Sequence, residues 1–129
     1  MKSTLLTFLA ASASFLLMPH SAQAHHGWLE FDSNREVTFE GTVKDFHFVN
    51  PHCVVEFDVK DERGQVHGWQ GEFSNPGQMA RQGWTATSLN AGDSITIAGN
   101  PAKNNAPAIH VTRIRLANGR EFKINDGKK

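Results

Sequence analysis

The chain has a single cysteine, Cys53, no tyrosine, and no surplus of charge of either sign. One thiol excludes a disulfide scaffold and the usual cysteine-based zinc sites, both of which need several. With 13 basic and 13 acidic side chains in 129 residues, nucleic acid is not the expected partner, because binding phosphates takes a Lys/Arg excess on one face. Long apolar runs are missing as well. The apolar run from Leu5 to Met18 has 14 residues, against the roughly 20 a helix needs to cross a bilayer. No G-x-S-x-G, glycine-rich phosphate loop or H-E-x-x-H occurs, so no enzyme signature is present. What is there is the composition of an ordinary globular domain, 39% hydrophobic and 20% charged.

That short apolar stretch has the layout of a secretory signal peptide. Met1-Lys2 supplies the positive end, Pro19 breaks the run, and Ala22-Gln23-Ala24 puts small residues where a signal peptidase reads. Cleavage is expected after Ala24, and with no cysteine near the cut a lipid anchor is not. The expected product is a periplasmic or secreted protein without a membrane anchor. Roughly a hundred residues remain, enough to bury one modest core. The chain divides into a signal peptide (1–24), a leader (25–36), a β-domain (37–125) and a tail (126–129).

The β-domain reads as short strands broken by turn signals. Val37, Phe39, Gly41 and Val43 alternate, but Phe46 and Phe48 fall on the opposite parity, which calls for a bulge near Asp45. Asn50-Pro51 ends this strand at Val49. Cys53, Val55, Phe57 and Val59 form the next inward set, Asp61-Glu62-Arg63-Gly64 a hairpin turn, and Val66 to Phe73 a third strand bearing His67, Trp69 and Phe73 on one face. Ser74 or Asn75 caps a short helix that begins near Pro76 and stops at Gly83, with Trp84 closing it onto the core. After a turn at Leu89–Asp93 come a strand Ile95–Ala98, a polar loop from Ala102 to Ala108, and a hairpin Ile109–Leu116 and Glu121–Ile124 about Asn118-Gly119. The order of three strands, a helix, then two or three strands fits a small OB-like β-barrel, with an open sandwich as the alternative. Barrels of that type place ligands on their second and third strands and in the first and fourth inter-strand loops.

Chemistry falls to the histidines. Cleavage after Ala24 makes His25 the first residue, so its α-amine and imidazole, titrating at about 7.7–8.0 and 6.5 in the free state, chelate one ion through two nitrogens. A further imidazole completes a nitrogen-rich, T-shaped site of the histidine-brace kind. Such a site suits Cu(II), which stands at the top of the divalent affinity order. Zinc or nickel could occupy the same nitrogens. His26 offers a second imidazole, and Gly27 lets the backbone fold back. Against this stands the ordinary fate of residues behind a signal peptide, which is to be frayed and solvated.

The completing ligand is sought among His52, in the Asn50-Pro51-His52 loop, His47, whose face depends on the bulge, and His67 and His110, which read as structural or surface residues. Cys53 shares parity with Val55 and Phe57 and reads as a buried, inert thiol. Glu30, Asp32 and Asp45 are carboxylates that could orient a ligating ring, although their spacing does not single them out from surface charge. Trp28 and Phe31 are expected to hold the leader against the barrel.

His25-His26-Gly27, Phe31-Asp32, Gly41-Thr42-Val43, Asn50-Pro51-His52, Pro76 with Gly83-Trp84, and Gly92-Asp93 with Gly99 together resemble a family of small exported bacterial proteins, a domain of unknown function numbered 6152. The likeness spans essentially the whole processed chain. Two departures stand out: Gly27 replaces a frequent serine, and Cys53 a larger apolar residue. The resemblance implies an exported β-domain and assigns no reaction. Two functions are therefore weighed. One is a copper-binding carrier or buffer using His25 and His52, supplemented by His26 or His47, with an exported protein as possible partner. The other is a metal-free module whose loops hold a peptide, glycan or partner protein. A copper oxygenase would need a substrate surface that the sequence does not identify.

Overall fold

A computed structural model describes residues 29–124. The expected signal peptide, His25, His26, Trp28 and the expected tail therefore lie outside the described residues. The elements run β1 (Val37–His47), β2 (Val54–Lys60), β3 (Val66–Glu72), α1 (Pro76–Arg81), β4 (Ser94–Pro101), β5 (Ala108–Leu116) and β6 (Glu121–Lys123). They form one sheet in the order β3-β2-β1-β4-β5-β6, and a parallel pairing of β3 with β5 closes the first five into a barrel, leaving β6 as an extra strand. The all-β, OB-like barrel with one short helix is thus the architecture.

Alternation makes the barrel. Val55 and Phe57 of β2 are fully buried while the alternating Glu56 and Asp58 face outward; the same logic buries Val43, Ile95, Ile97, Ile109 and Val111 from the other strands, and a register shift in β5 past Val111 brings Ile114 inward as well. The parity break in β1 is a bulge at Lys44: Val43 faces Phe57, yet Asp45 faces Glu56, so one step on β2 spans two on β1. Past it, Phe46 turns inward opposite Val55, and Asp45 and His47 turn outward. β1 ends at His47 rather than Val49, and Val49 is more than half exposed.

The helix follows its sequence signals. Asn75 Oδ1 accepts from the Gln78 N–H at 3.0 Å, Pro76 begins the helix, and Gly83 adopts φ +87° beyond its end. Trp84 then drops into the core at 2% exposure, against Phe46, Phe73 and Phe122. β4 continues to Pro101, beyond the expected stop at Ala98. Opposite it β5 bulges at Thr112, since Ala98 faces Arg113 and Gly99 faces Val111, and a Cβ on Gly99 would strike the His110 carbonyl. Only glycine lets the two backbones approach so closely.

Candidate functional site

The four imidazoles among the described residues sit in three places. His52 follows the cis Asn50–Pro51 bond in the loop between β1 and β2. The next residue anchors that loop: Cys53 N–H donates to Ser74 at 3.0 Å, and its carbonyl accepts from Phe73 N–H at 2.8 Å. The His52 ring stays 43% exposed, with Nδ1 2.8 Å from Glu72 Oε1. A carboxylate that close favours a proton on Nδ1, the neutral tautomer that presents the lone pair of Nε2. His47, turned outward by the bulge, has Nε2 3.4 Å from Glu56 Oε1 and 3.5 Å from Asp45 Oδ2. The Cys53 thiol beside His52 is buried. Burial pushes its pKa up, against a smaller opposing effect of the Val49 backbone, so it stays a neutral, apolar group.

His67 lies elsewhere, and His110 occupies the β5 end of the same outward face as His47, opposite Glu72. His67 stands at the exposed start of β3, hydrogen-bonded as a surface residue to Asp61 Oδ2 at 2.9 Å. That contact, the backbone N–H groups of Gln65 and Arg63, and the nearby imidazole charge hold the Asp61 carboxyl below its ordinary value despite a small opposing desolvation. His110 packs against Phe31 in a tilted contact, ring centres 5.6 Å apart.

Strand register gathers the outward groups into two neighbouring rows. Asp45, Glu56, Gln70 and Ala108 are successive cross-strand partners on β1, β2, β3 and β5; His47, Val54, Glu72 and His110 form the next row. His47–Glu56 and His52–Glu72 thus share one outward face. Glu56 and Glu72 are the functional candidates that sequence reasoning overlooked, although each occupies an outward position of an alternating strand next to a histidine-bearing segment. Asp45 was considered and does reach an imidazole. Glu30 instead pairs with Lys103 at 3.2 Å, and Asp32 accepts from the Asn34 N–H at 3.0 Å.

The leader arrives at this same face. Asp32 N–H donates to the Pro101 carbonyl, Phe31 bridges to Ala102, and Lys103 N–H donates to the Glu30 carbonyl, which stitches residues 30–32 to the end of β4 and the loop after it. Leu29 then lines a depression of about 320 Å³ with Lys44, Glu56, Gly68, Gln70 and Pro107. Among the described residues no three His, Cys, Asp or Glu side chains converge as a metal site would require. His47 and His52 each bring one imidazole to this face, and the two rings pair with different carboxylates.

Residues 14–110 match the profile of a family of unknown function, DUF6152. The chain belongs to that family. No curated protein matches this DUF6152 member. Among solved structures it is similar to the mitochondrial single-stranded DNA binding protein Rim1 of S. cerevisiae, with a TM-score of 0.50 and 14% identity over 78% of this chain and 100% of that one. A ZRD-deleted mutant of TiaS in complex with agmatine gives 0.49 and 17% over 76% of this chain, which spans only 24% of the TiaS chain. At these identities the likeness concerns the barrel alone.

Proposed function

We propose that the processed protein binds one Cu(II) ion, as an exported carrier or buffer, through the His25 α-amine and imidazole and the His52 ring, supplemented by His26 or His47. The observation that supports this reading is the His52–Glu72 contact. Metal-bound histidines commonly give their other ring nitrogen to a carboxylate, which fixes the tautomer and aims the ligating lone pair. Glu72 stands at 2.8 Å from His52 Nδ1 and so leaves Nε2 for a metal. Reach is favourable too. Four Cα–Cα steps lead from Leu29 to His25, a span of at most about 14 Å when extended, and Leu29 already touches the face that carries both imidazoles. Amine and imidazole nitrogens favour Cu(II) over harder cations; zinc and nickel are weaker competitors for the same donors.

The test is Cu(II) titration of protein whose first residue is confirmed as His25, followed by its paramagnetic spectrum. One equivalent with a nitrogen-rich signature is expected. One extra residue before His25, or His52→Ala, weakens binding at least tenfold, and Glu72→Ala by roughly ten- to a hundredfold, the usual cost of losing such a carboxylate. Equal affinity in the native and extended proteins would end the proposal.

A second reading rests on a different observation. Trp69 and Phe39, ring centres 4.4 Å apart, lie in an open depression of about 640 Å³ with Val59, Val66 and Pro107. A partly buried aromatic pair at an open rim suits a metal-free module that holds a peptide, glycan or partner protein. Nucleic acid does not suit the outward β1–β3 face, where Asp45, Glu56, Asp58 and Glu72 outnumber Lys44 and Lys60 and would repel phosphates.

A further inference from the structure

The described chain starts inside the depression on the outward face of the barrel, and three features of that depression specify what fills it. Its first feature is direction. Ala108, Gln70, Glu56 and Asp45 are successive partners across four strands, so the lane from Leu29 runs across β3 and β2 toward β1. At about 4.8 Å between strands it extends about 14 Å, which four extended residues can just cover.

Its second feature is room. Gly68 faces outward here, opposite Asp58, and a Cβ built on it would meet only Asp58 Oδ1 at 3.9 Å. The missing side chain leaves a bare patch of backbone beside Pro107, a surface on which an aromatic ring can lie. The third feature is charge. Carboxylates of Asp45, Glu56 and Glu72 line the lane and its neighbouring row, with Lys44 as the cation among them. The segment next to Leu29 is His25-His26-Gly27-Trp28, which has an indole adjoining Leu29, two imidazoles, and no acidic side chain. Once processed it adds an α-amine.

We infer that residues 25–28 of the processed chain dock along this lane in the absence of metal, with Trp28 over Gly68 and Pro107 and the two histidines toward Glu56 and Asp45. This rests on the same processed start at His25 as the copper reading, and it adds what holds that start in place. The amino terminus is then a strap laid over the sheet before any ion arrives. Its far end comes to rest between the His47–Glu56 and His52–Glu72 pairs.

The experiment uses metal-free processed protein in excess chelator, with the His25 start verified by mass. Nuclear Overhauser contacts between the Trp28 indole and the Gly68 and Ala106 protons are expected, and Trp28→Ala shifts the amide signals of Gly68, Gln70 and Glu56. Gly68→Val, which has open space for its side chain, abolishes those contacts while the remaining spectrum stays folded. If the indole contacts are missing, or if Trp28→Ala moves only signals at residues 29–31, the docking is refuted. Contacts that vanish on dilution would mean a second copy supplies the segment, which also refutes it. A parallel copper titration separates the two ideas: copper binding without docking leaves the metal proposal standing, and docking without copper binding leaves this one.

Discussion

At the scale of single residues, two environments decide what the side chains beside the site can do. The Cys53 thiol sits one residue from His52, where a thiol ligand to copper would be chemically attractive. Burial keeps it protonated and on the opposite face. Iodoacetamide should therefore leave Cys53 unmodified in the native protein near neutral pH and label it fully in denaturant. Fast labelling of the folded form would show that the loop opens. This inertness was legible from the parity of Cys53 with Val55 and Phe57. The carboxylate partners were not. Glu72 becomes significant only when β3 pairs with β2, which sets it beside a histidine twenty residues away in the chain. Single-strand periodicity says that Glu72 faces out and nothing of which ring it meets.

Among the elements, turns and caps were the most readable because their chemistry is local. Asn75, Pro76 and Gly83 mark both helix ends, and Gly64, at φ +78°, closes the β2–β3 hairpin where the sequence placed it. That hairpin also has an acid-sensitive latch. Asp61 Oδ1 accepts from Arg63 and Gln65 N–H groups, each at 2.9 Å, while Oδ2 meets His67. The carboxyl thus titrates below its ordinary 3.8 in the folded protein. The unfolded chain takes up that proton first as acid is added. The stabilisation from Asp61 is accordingly complete above about pH 5 and disappears as pH falls through the lowered folded value. Urea midpoints measured between pH 2 and 6 should fall less steeply for Asp61→Asn than for the parent, and identical slopes would remove Asp61 from the account. The β1 bulge was legible from the parity of Phe46. Its consequence for His47 needed the register, since one inserted residue decides which face an imidazole occupies.

For the molecule as a whole, the strand order suggested a barrel, yet its closure was invisible in the sequence. β3 and β5 meet in parallel through only Gln70–Ala108, Gly71–Ile109 and Glu72–His110, residues almost forty positions apart. No local pattern announces a contact of that range. Gly71 makes it possible: a Cβ there would come within 2.9 Å of Val111 and Val55 side chains and 3.1 Å of Ile97. Gly71→Ala should cost about 1–3 kcal/mol through overpacking, read as a lower denaturant midpoint with unchanged m-value. An unaltered midpoint would mean that the interior adjusts freely around this position.

The same closure is only half made. Residues 70–72 of β3 are matched by β5, whereas Val66 to Trp69 have a described neighbour on the β2 side alone. The cylinder is therefore a cuff fastened at one end of a seam and loose at the other, with the aromatic pair Trp69–Phe39 showing through the gap. Unzipping should begin there: deuterium should replace the amide hydrogens pointing into the gap, at Val66 and Gly68, well before those of Val55 and Phe57. Whatever ultimately visits this barrel, the gap is where it would have least to displace.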